Sequence, residues 1–197
     1  MNLQKFTVKA QEAVQKAMEL AASNNHQGIE PSHLLEAFLS DPDSVAVSIL
    51  RRVGANVDRL RSEAEAALES LPTVTGASAG DQYVGEDLKK VFDRARAEAD
   101  VMDDAYVSTE HLLIGLVEGK NESGQALREQ GASKEHVLEA LDDVRGGQGA
   151  DDPHAESRYE ALDRFAQDLN EMAREGKIDP VIGREQEIRR VLQILSR

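Results

Sequence analysis

The sequence predicts an all-α protein whose body is one four-helix unit present twice, the two copies packed about a pseudo-twofold relation. Three observations carry this. The first is an internal repeat: Ile29-Glu30-Pro31-Ser32-His33-Leu34-Leu35 aligns with Val107-Ser108-Thr109-Glu110-His111-Leu112-Leu113 at an offset of 111 − 33 = 78 residues. At the same offset Ala10, Val14, Ala17 and Ala21 fall on Leu88, Phe92, Ala95 and Ala99, so a small-or-apolar stripe at helical spacing is kept in both copies. The second is composition. Trp is absent and there are only four Phe and three Tyr, which leaves Leu, Val, Ile and Ala to fill the core, the usual content of closely packed helices. The third is that helix start and stop signals recur at matching places in the two copies.

Taken in order, Thr7 is placed to cap the first helix, because its hydroxyl accepts a hydrogen bond from an otherwise unpaired amide of the first turn. That helix is expected to run to about Asn24. Pro31 suits the first position of the second helix, where its missing N–H costs nothing and its fixed φ already fits; in the second copy Ser108 does the capping. Asp43 and Asn121 are expected to cap the third helices, Gly54 and Gly131 to close them in the left-handed conformation, and Asn56 and Ser133 to cap the fourth. Leu50, Gly54 and Ala55 match Leu127, Gly131 and Ala132 at an offset of 77, so one residue is lost in the loop between.

The repeats occupy about residues 1–71 and 83–145. Between them, the run from Leu71 to Gly80 is rich in breakers and small residues, as a surface connector should be. The run from Gly146 to Pro153 has the composition of a flexible tether, and a linker is expected over residues 146–158. Beyond it Tyr159, Leu162, Phe165, Leu169 and Met172 recur at threes and fours up to Gly176. Residues 177–183 must be extended around Pro180. A last helix from about Arg184 carries Ile188, Val191, Leu192 and Leu195 on one side. These two helices have no partner for their apolar faces, and residues 159–197 read as the truncated start of a larger module.

Several classes of function are excluded or disfavoured. A net charge of −14 argues against nucleic acid or an anionic membrane as the main partner. The longest apolar stretch, from Leu112 to Val117, is far short of the roughly 20 residues a spanning helix requires. With no cysteine there is no disulfide, thiolate zinc site or cysteine nucleophile, and a cytoplasmic location is the expectation. His26, His33, His111, His136 and His154 show no metal-ligand spacing, so no metal is expected. His33 and His111 occupy one repeat position, which points to a structural role. Asp103-Asp104 and Asp142-Asp143 are expected on solvated faces, and no catalytic residue is assigned. Gly119-Lys120 and Gly176-Lys177 lack the upstream Gly and the following Ser or Thr of a phosphate loop, so this stretch is not expected to be an enzyme or to hold a cofactor by itself.

The duplicated unit, the Leu71-Pro72-Thr73-Val74-Thr75-Gly76 connector and the Gly146-Gly147 tether together resemble the N-terminal domain of the ClpB-type AAA+ disaggregases. Tyr159-Glu160-Ala161-Leu162, Asp168-Leu169 and the run from Gly176 to Glu185 look like the opening of that family's first ATPase module. The resemblance implies an ATP- and magnesium-dependent ring, a homohexamer, that works with the DnaK chaperone system to pull polypeptides out of aggregates. This chain would be its mobile, substrate-engaging front end. The phosphate loop, arginine fingers and pore loops are expected further along the parent. The alternative is the adaptor-docking N-terminal module of a protease-coupled Clp ATPase.

The resemblance also points to residues. Asp179, Pro180, Val181, Ile182 and Gly183 match a stretch that lies against the adenine ring in the complete ATPase module. An apolar groove between the repeats, rimmed by Thr7, Asp104 and Glu110, would bind unfolded polypeptide, with the adjacent Tyr106 and Val107 as the exposed apolar patch. Thr7 and Glu110 also have structural reasons to sit in first helical turns, as a capping hydroxyl and as a carboxylate facing the helix dipole.

Overall fold

The computed structural model describes residues 3–74 and 82–159, together with Arg184, Arg189, Arg190, Gln193 and Ile194. Residues 1–160 form one compact unit and residues 161–197 a second. Among the described residues the first unit holds α1 (Val8–Ser23), β1 (Gly28–Ile29), α2 (Pro31–Leu39), α3 (Val45–Val53), α4 (Val57–Glu69), β2 (Tyr83–Val84), α5 (Glu86–Val101), α6 (Thr109–Val117), α7 (Glu122–Glu129) and α8 (Lys134–Arg145), then a 3₁₀ turn at Ala155–Ser157. This is the all-α duplicated four-helix fold the sequence predicts, with two very short strands added. The expected helix from Tyr159 to Gly176 and the extended 177–183 segment lie outside the described residues, Tyr159 excepted. Of the expected last helix, Arg189, Arg190, Gln193 and Ile194 are described, and they are helical.

The capping signals act largely as expected. Thr7 Oγ1 accepts from Ala10 N at 3.2 Å, Asn56 from Arg59 N, Asn121 from Gly124 N and Ser133 from His136 N. Ser44, one residue after the expected Asp43, caps α3 through Val47 N. His33 and His111 take structural roles at the third positions of α2 and α6. Each Nδ1 accepts the amide at the start of its own helix, from Glu30 at 2.9 Å and Ser108 at 3.0 Å. With Nδ1 accepting, the ring proton sits on Nε2, which fixes where each ring points next.

The pseudo-twofold relation appears directly in the backbone pairing. β1 and β2 pair in parallel with Ile29 opposite Val84, and Phe6 pairs in parallel with Val107. Adding 78 to 6 gives 84 and to 29 gives 107, so each bridge is the image of the other. The amide after each bridge follows suit: Thr7 N donates to Val107 O at 3.0 Å and Gly85 N to Ile29 O at 2.9 Å. Asn25 and Asp103, also 78 apart, take matching left-handed conformations with φ of 58° and 57°, which Asn and Asp tolerate better than most residues.

The core is one cluster in which α2 and α6 are buried almost all round. α1 and α4 flank α2, α5 and α7 flank α6, and the copies join where α3 meets α8 and α4 meets α7. Gly115 lets α6 approach α5 closely, for a Cβ there would stand 2.5 Å from Val91 O. Its counterpart in the first copy is Ala37.

The segment expected to be a flexible linker, residues 146–158, is instead folded back onto the unit. Gly146 and Gly147, with φ of 56° and 80°, end α8 and reverse the chain. The returning strap then accepts two backbone hydrogen bonds, from Tyr106 N to Ala150 O at 3.1 Å and from Val8 N to Pro153 O at 2.7 Å. Ala150, Ala155 and Tyr159 are buried. The composition that suggested a tether supplies small residues and turns, which serve close apposition here as well as they serve mobility. The boundary expected at 145 therefore falls after residue 160.

Candidate functional site

The residues singled out as a rim around Thr7 do converge, but in a buried polar network under the strap. Thr7 and Glu110 are fully buried and the Asp104 side chain is almost so. Arg145, on the last turn of α8, links two carboxylates: Nη2 lies 2.7 Å from Asp104 Oδ2, while Nε and Nη2 donate to Glu110 Oε1 at 3.0 and 2.8 Å. Asp104 Oδ1 accepts Ala150 N at 2.7 Å, and His111 Nε2 lies 3.1 Å from Oδ2, off the line a well-formed hydrogen bond wants. Glu156, which nothing in the sequence singled out, places Oε1 to accept from Thr7 Oγ1 at 2.5 Å and from Thr109 N at 3.1 Å. Tyr106 is half-buried. Val107, expected in an exposed patch, is buried at its bridge with Phe6, because a parallel bridge between two helix starts faces its side chains into the core.

The charges in this network are arranged unevenly. Burial pushes the Asp104 carboxyl up, but His111, Arg145 and the Ala150 amide outweigh it and hold it down at about 2. Burial and then the neighbouring Glu110 raise the Glu156 carboxyl, against the pull of Thr7 and Thr109. Burial opposes the charge on Arg145, yet Glu110 and Asp104 raise its pKa all the same. Burial and Glu110 also raise the Tyr159 phenol, whose ring lies 5.7 Å from the Arg145 guanidinium carbon. The same place in the first copy is built without this charge. His26 stands where the second copy has Asp104, and its Nδ1 meets His33 Nε2 at 2.9 Å. Burial, then His26, lowers His33 to about 4.

The apolar surface between the repeats lies elsewhere and is small. A narrow cleft of about 10 Å³ crosses the two repeats and is lined by Val14, Ala17, Met18, Ile29, Leu34, Val84, Leu88 and Phe92, all buried except Met18 and Val84. Met18 is 37% exposed and Tyr83, beside Val84, 59% exposed. Phe92 reaches from this cleft to Phe6, ring centroids 6.1 Å apart and edge to face. A wider groove of about 410 Å³ between α4 and α7 is rimmed by the carboxylates of Glu63, Glu122 and Glu129 over a floor of alanines. The sequence did mark the α1 and α5 stripes that build the cleft; it did not show that Met18, next to that stripe, is its open edge. Asp179 to Gly183 lie outside the described residues. No helix among the described residues is long and apolar enough to cross a membrane.

A helical unit present twice, its copies joined by paired short bridges around one core, defines the class of duplicated helical-repeat domains. The chain belongs to the Clp repeat (R) N-terminal domain family, which matches residues 5–130. Over all of its length it is 40% identical to the chaperone protein ClpB of Bacillus cereus, of which it covers 23%, and 38% identical to that of Porphyromonas gingivalis, of which it covers 22%. The chain thus spans about a quarter of these relatives. Its fold is similar to the N-terminal domain of Hsp104 from Candida albicans, with a TM-score of 0.66 and 22% identity over 77% of this chain and 99% of that one. It is also similar to the N-terminal domain of ClpD from Arabidopsis thaliana, with a TM-score of 0.52 and 22% identity over 71% and 96%.

Proposed function

We propose that this region is the substrate-engaging front end of an ATP-dependent, ClpB-like disaggregase, capturing exposed hydrophobic segments of misfolded proteins and passing them to a ring formed by the rest of the parent. The cleft across the repeats supports this reading most directly. Its accessible part is Met18 with Val84 and the adjacent Tyr83, and the flexible thioether of Met18 adapts to differing side chains. Such a surface binds weakly, because a small apolar contact must offset the entropy of association. Hydrolysis, the bound ATP and magnesium, the homohexameric ring, cooperation with a DnaK-type chaperone and a cytoplasmic setting all belong to the proposed parent.

The test is fluorescence anisotropy of a labelled, permanently unfolded polypeptide titrated with the chain and with Met18→Glu. A charge at a partly exposed site leaves the fold intact and removes about 1.4 kcal/mol of apolar contact, so affinity should fall about tenfold. Equal binding by the variant overturns the reading. The similarity to ClpD, named as a chaperone associated with caseinolytic protease, favours the second reading of an adaptor-docking module. Retention of a folded adaptor, with no affinity for unfolded polypeptide, would select it.

A further inference from the structure

The strap is held by the unit as a ligand is held, and the comparison between the two copies shows how specialised its seat is. Where Phe6 and Val107 pair, the first turns of α1 and α6 meet, and two donors, Thr7 Oγ1 and Thr109 N, aim at one point. Glu156 fills that point with its carboxylate. It is 3% exposed, and its second oxygen has no partner. At the image of this site, where Ile29 and Val84 pair, both donors are missing: Gly85 replaces Thr7 and has no hydroxyl, and Pro31 replaces Thr109 and has no N–H. There the unit fills the place itself, since a Cβ on Gly85 would stand 2.3 Å from Glu30 Oε1. Of two seats related by the repeat, one closes on its own residue and the other takes a carboxylate from a segment almost 150 residues away in sequence.

The strap is also bound through its backbone. Tyr106 N and Val8 N donate to Ala150 O and Pro153 O, and Asp104 accepts Ala150 N. Gly149 passes close enough to Asp104 that a Cβ would lie 2.9 Å from its Oδ1. Three bonds to the strap's main chain and two to its carboxylate group, spread over Ala150 to Glu156, make a recognisable peptide-binding arrangement with Thr7, Val8, Asp104, Tyr106 and Thr109 as the receptor side.

We propose that this surface is a docking site for peptides that present a single carboxylate from a turn, that residues 150–159 of the chain are its resident ligand, and that release of this strap opens the site to a carboxylate-bearing peptide in trans. The site is separate from the apolar cleft and its ligand is of opposite character, so the proposal stands or falls independently of the hydrophobic-capture reading. The tethered strap competes at an effective concentration on the order of millimolar, which keeps the unmodified chain closed to moderate concentrations of free peptide.

The test uses the full chain, Glu156→Lys, Glu156→Gln, and a blocked synthetic peptide with the sequence of residues 149–159. In the unmodified chain the Val8 and Tyr106 amides should be protected from hydrogen exchange. In Glu156→Lys they should exchange at least about tenfold faster while Leu113 in the core stays protected, and Glu156→Gln, which keeps the shape and loses the charge, should fall between. The free peptide should bind Glu156→Lys at least about tenfold more tightly than the unmodified chain and restore protection at Val8 and Tyr106. The same peptide with Gln in place of its Glu should bind more weakly. Fast exchange at Val8 and Tyr106 in the unmodified chain overturns the proposal. So does peptide binding that is equal in the two chains, absent from the Glu156→Lys chain, or indifferent to the Glu-to-Gln change; the Glu156→Gln chain supplies the same comparison should Glu156→Lys not fold.

Discussion

Replacing Arg145 with Met tests the polar network most sharply, because the side chains have similar volume and only the charge is lost. Arg145 is 7% exposed and holds Asp104 at 2.7 Å and Glu110 at 2.8 Å, so the variant leaves two buried carboxylates without their cation. Removing one partner of a buried ion pair costs about 3–5 kcal/mol. With a urea dependence of about 2 kcal/mol per molar for a unit of this size, the midpoint should fall by about 2 M when unfolding is followed by circular dichroism at pH 7. The dependence on pH adds a signature that a packing defect does not produce. In the unmodified chain Asp104 is held at about 2 against an ordinary 3.8. A depressed acid stabilises the fold fully above its unfolded value, and this contribution of about 2 kcal/mol is lost as pH falls from 3.8 through 2. In Arg145→Met the Asp104 carboxyl loses one of the groups that hold it down while burial still pushes it up, so it moves toward its ordinary value and the variant should lose less stability than the unmodified chain as pH falls from 3.8 to 2. A loss at pH 7 below about 1 kcal/mol, or an equal acid loss in the two chains, refutes the account.

Gly115→Ala should destabilise the unit by about 1–2 kcal/mol in the same denaturation experiment, because the overpacking penalty against the unyielding Val91 carbonyl exceeds the roughly 1 kcal/mol gained in helix propensity. An unchanged or raised midpoint would mean that α5 and α6 have room to part. Leu34→Ala and Leu112→Ala remove fully buried side chains at matching positions of the two central helices, and each should cost about 2–5 kcal/mol; a change near zero at both would contradict their place in the core.

The repeat made the fold legible. An offset of 78 residues locates both bridges, both left-handed Asn25 and Asp103, and both capping histidines, since each is set by local geometry that the copies share. The third-helix cap missed by one residue because Asp43 and the adjacent Ser44 both carry capping side chains and pattern alone cannot choose between neighbours. The strap was read as a tether because its docking is long-range. Nothing within a few residues of Glu156 announces a partner at Thr7, and a short 3₁₀ turn carries no periodic pattern. Thr7, Asp104 and Glu110 were found, but their burial was not, since a polar residue next to a helix start reads alike whether water or another chain segment covers it. The cleft was half visible: the apolar stripes are in the sequence, while the opening beside Met18 depends on how α1 and α5 lie against each other.

The hydrogen bond from Val8 to Pro153 places the start of the first helix beside the last stretch of the unit. Tension between the two ends would therefore peel the strap away one contact at a time before any of it reached the helices, so the outermost layer acts as a mechanical fuse for the core. A domain whose ends meet in this way is also suited to grafting into a surface loop of another protein, where entry and exit must share one point.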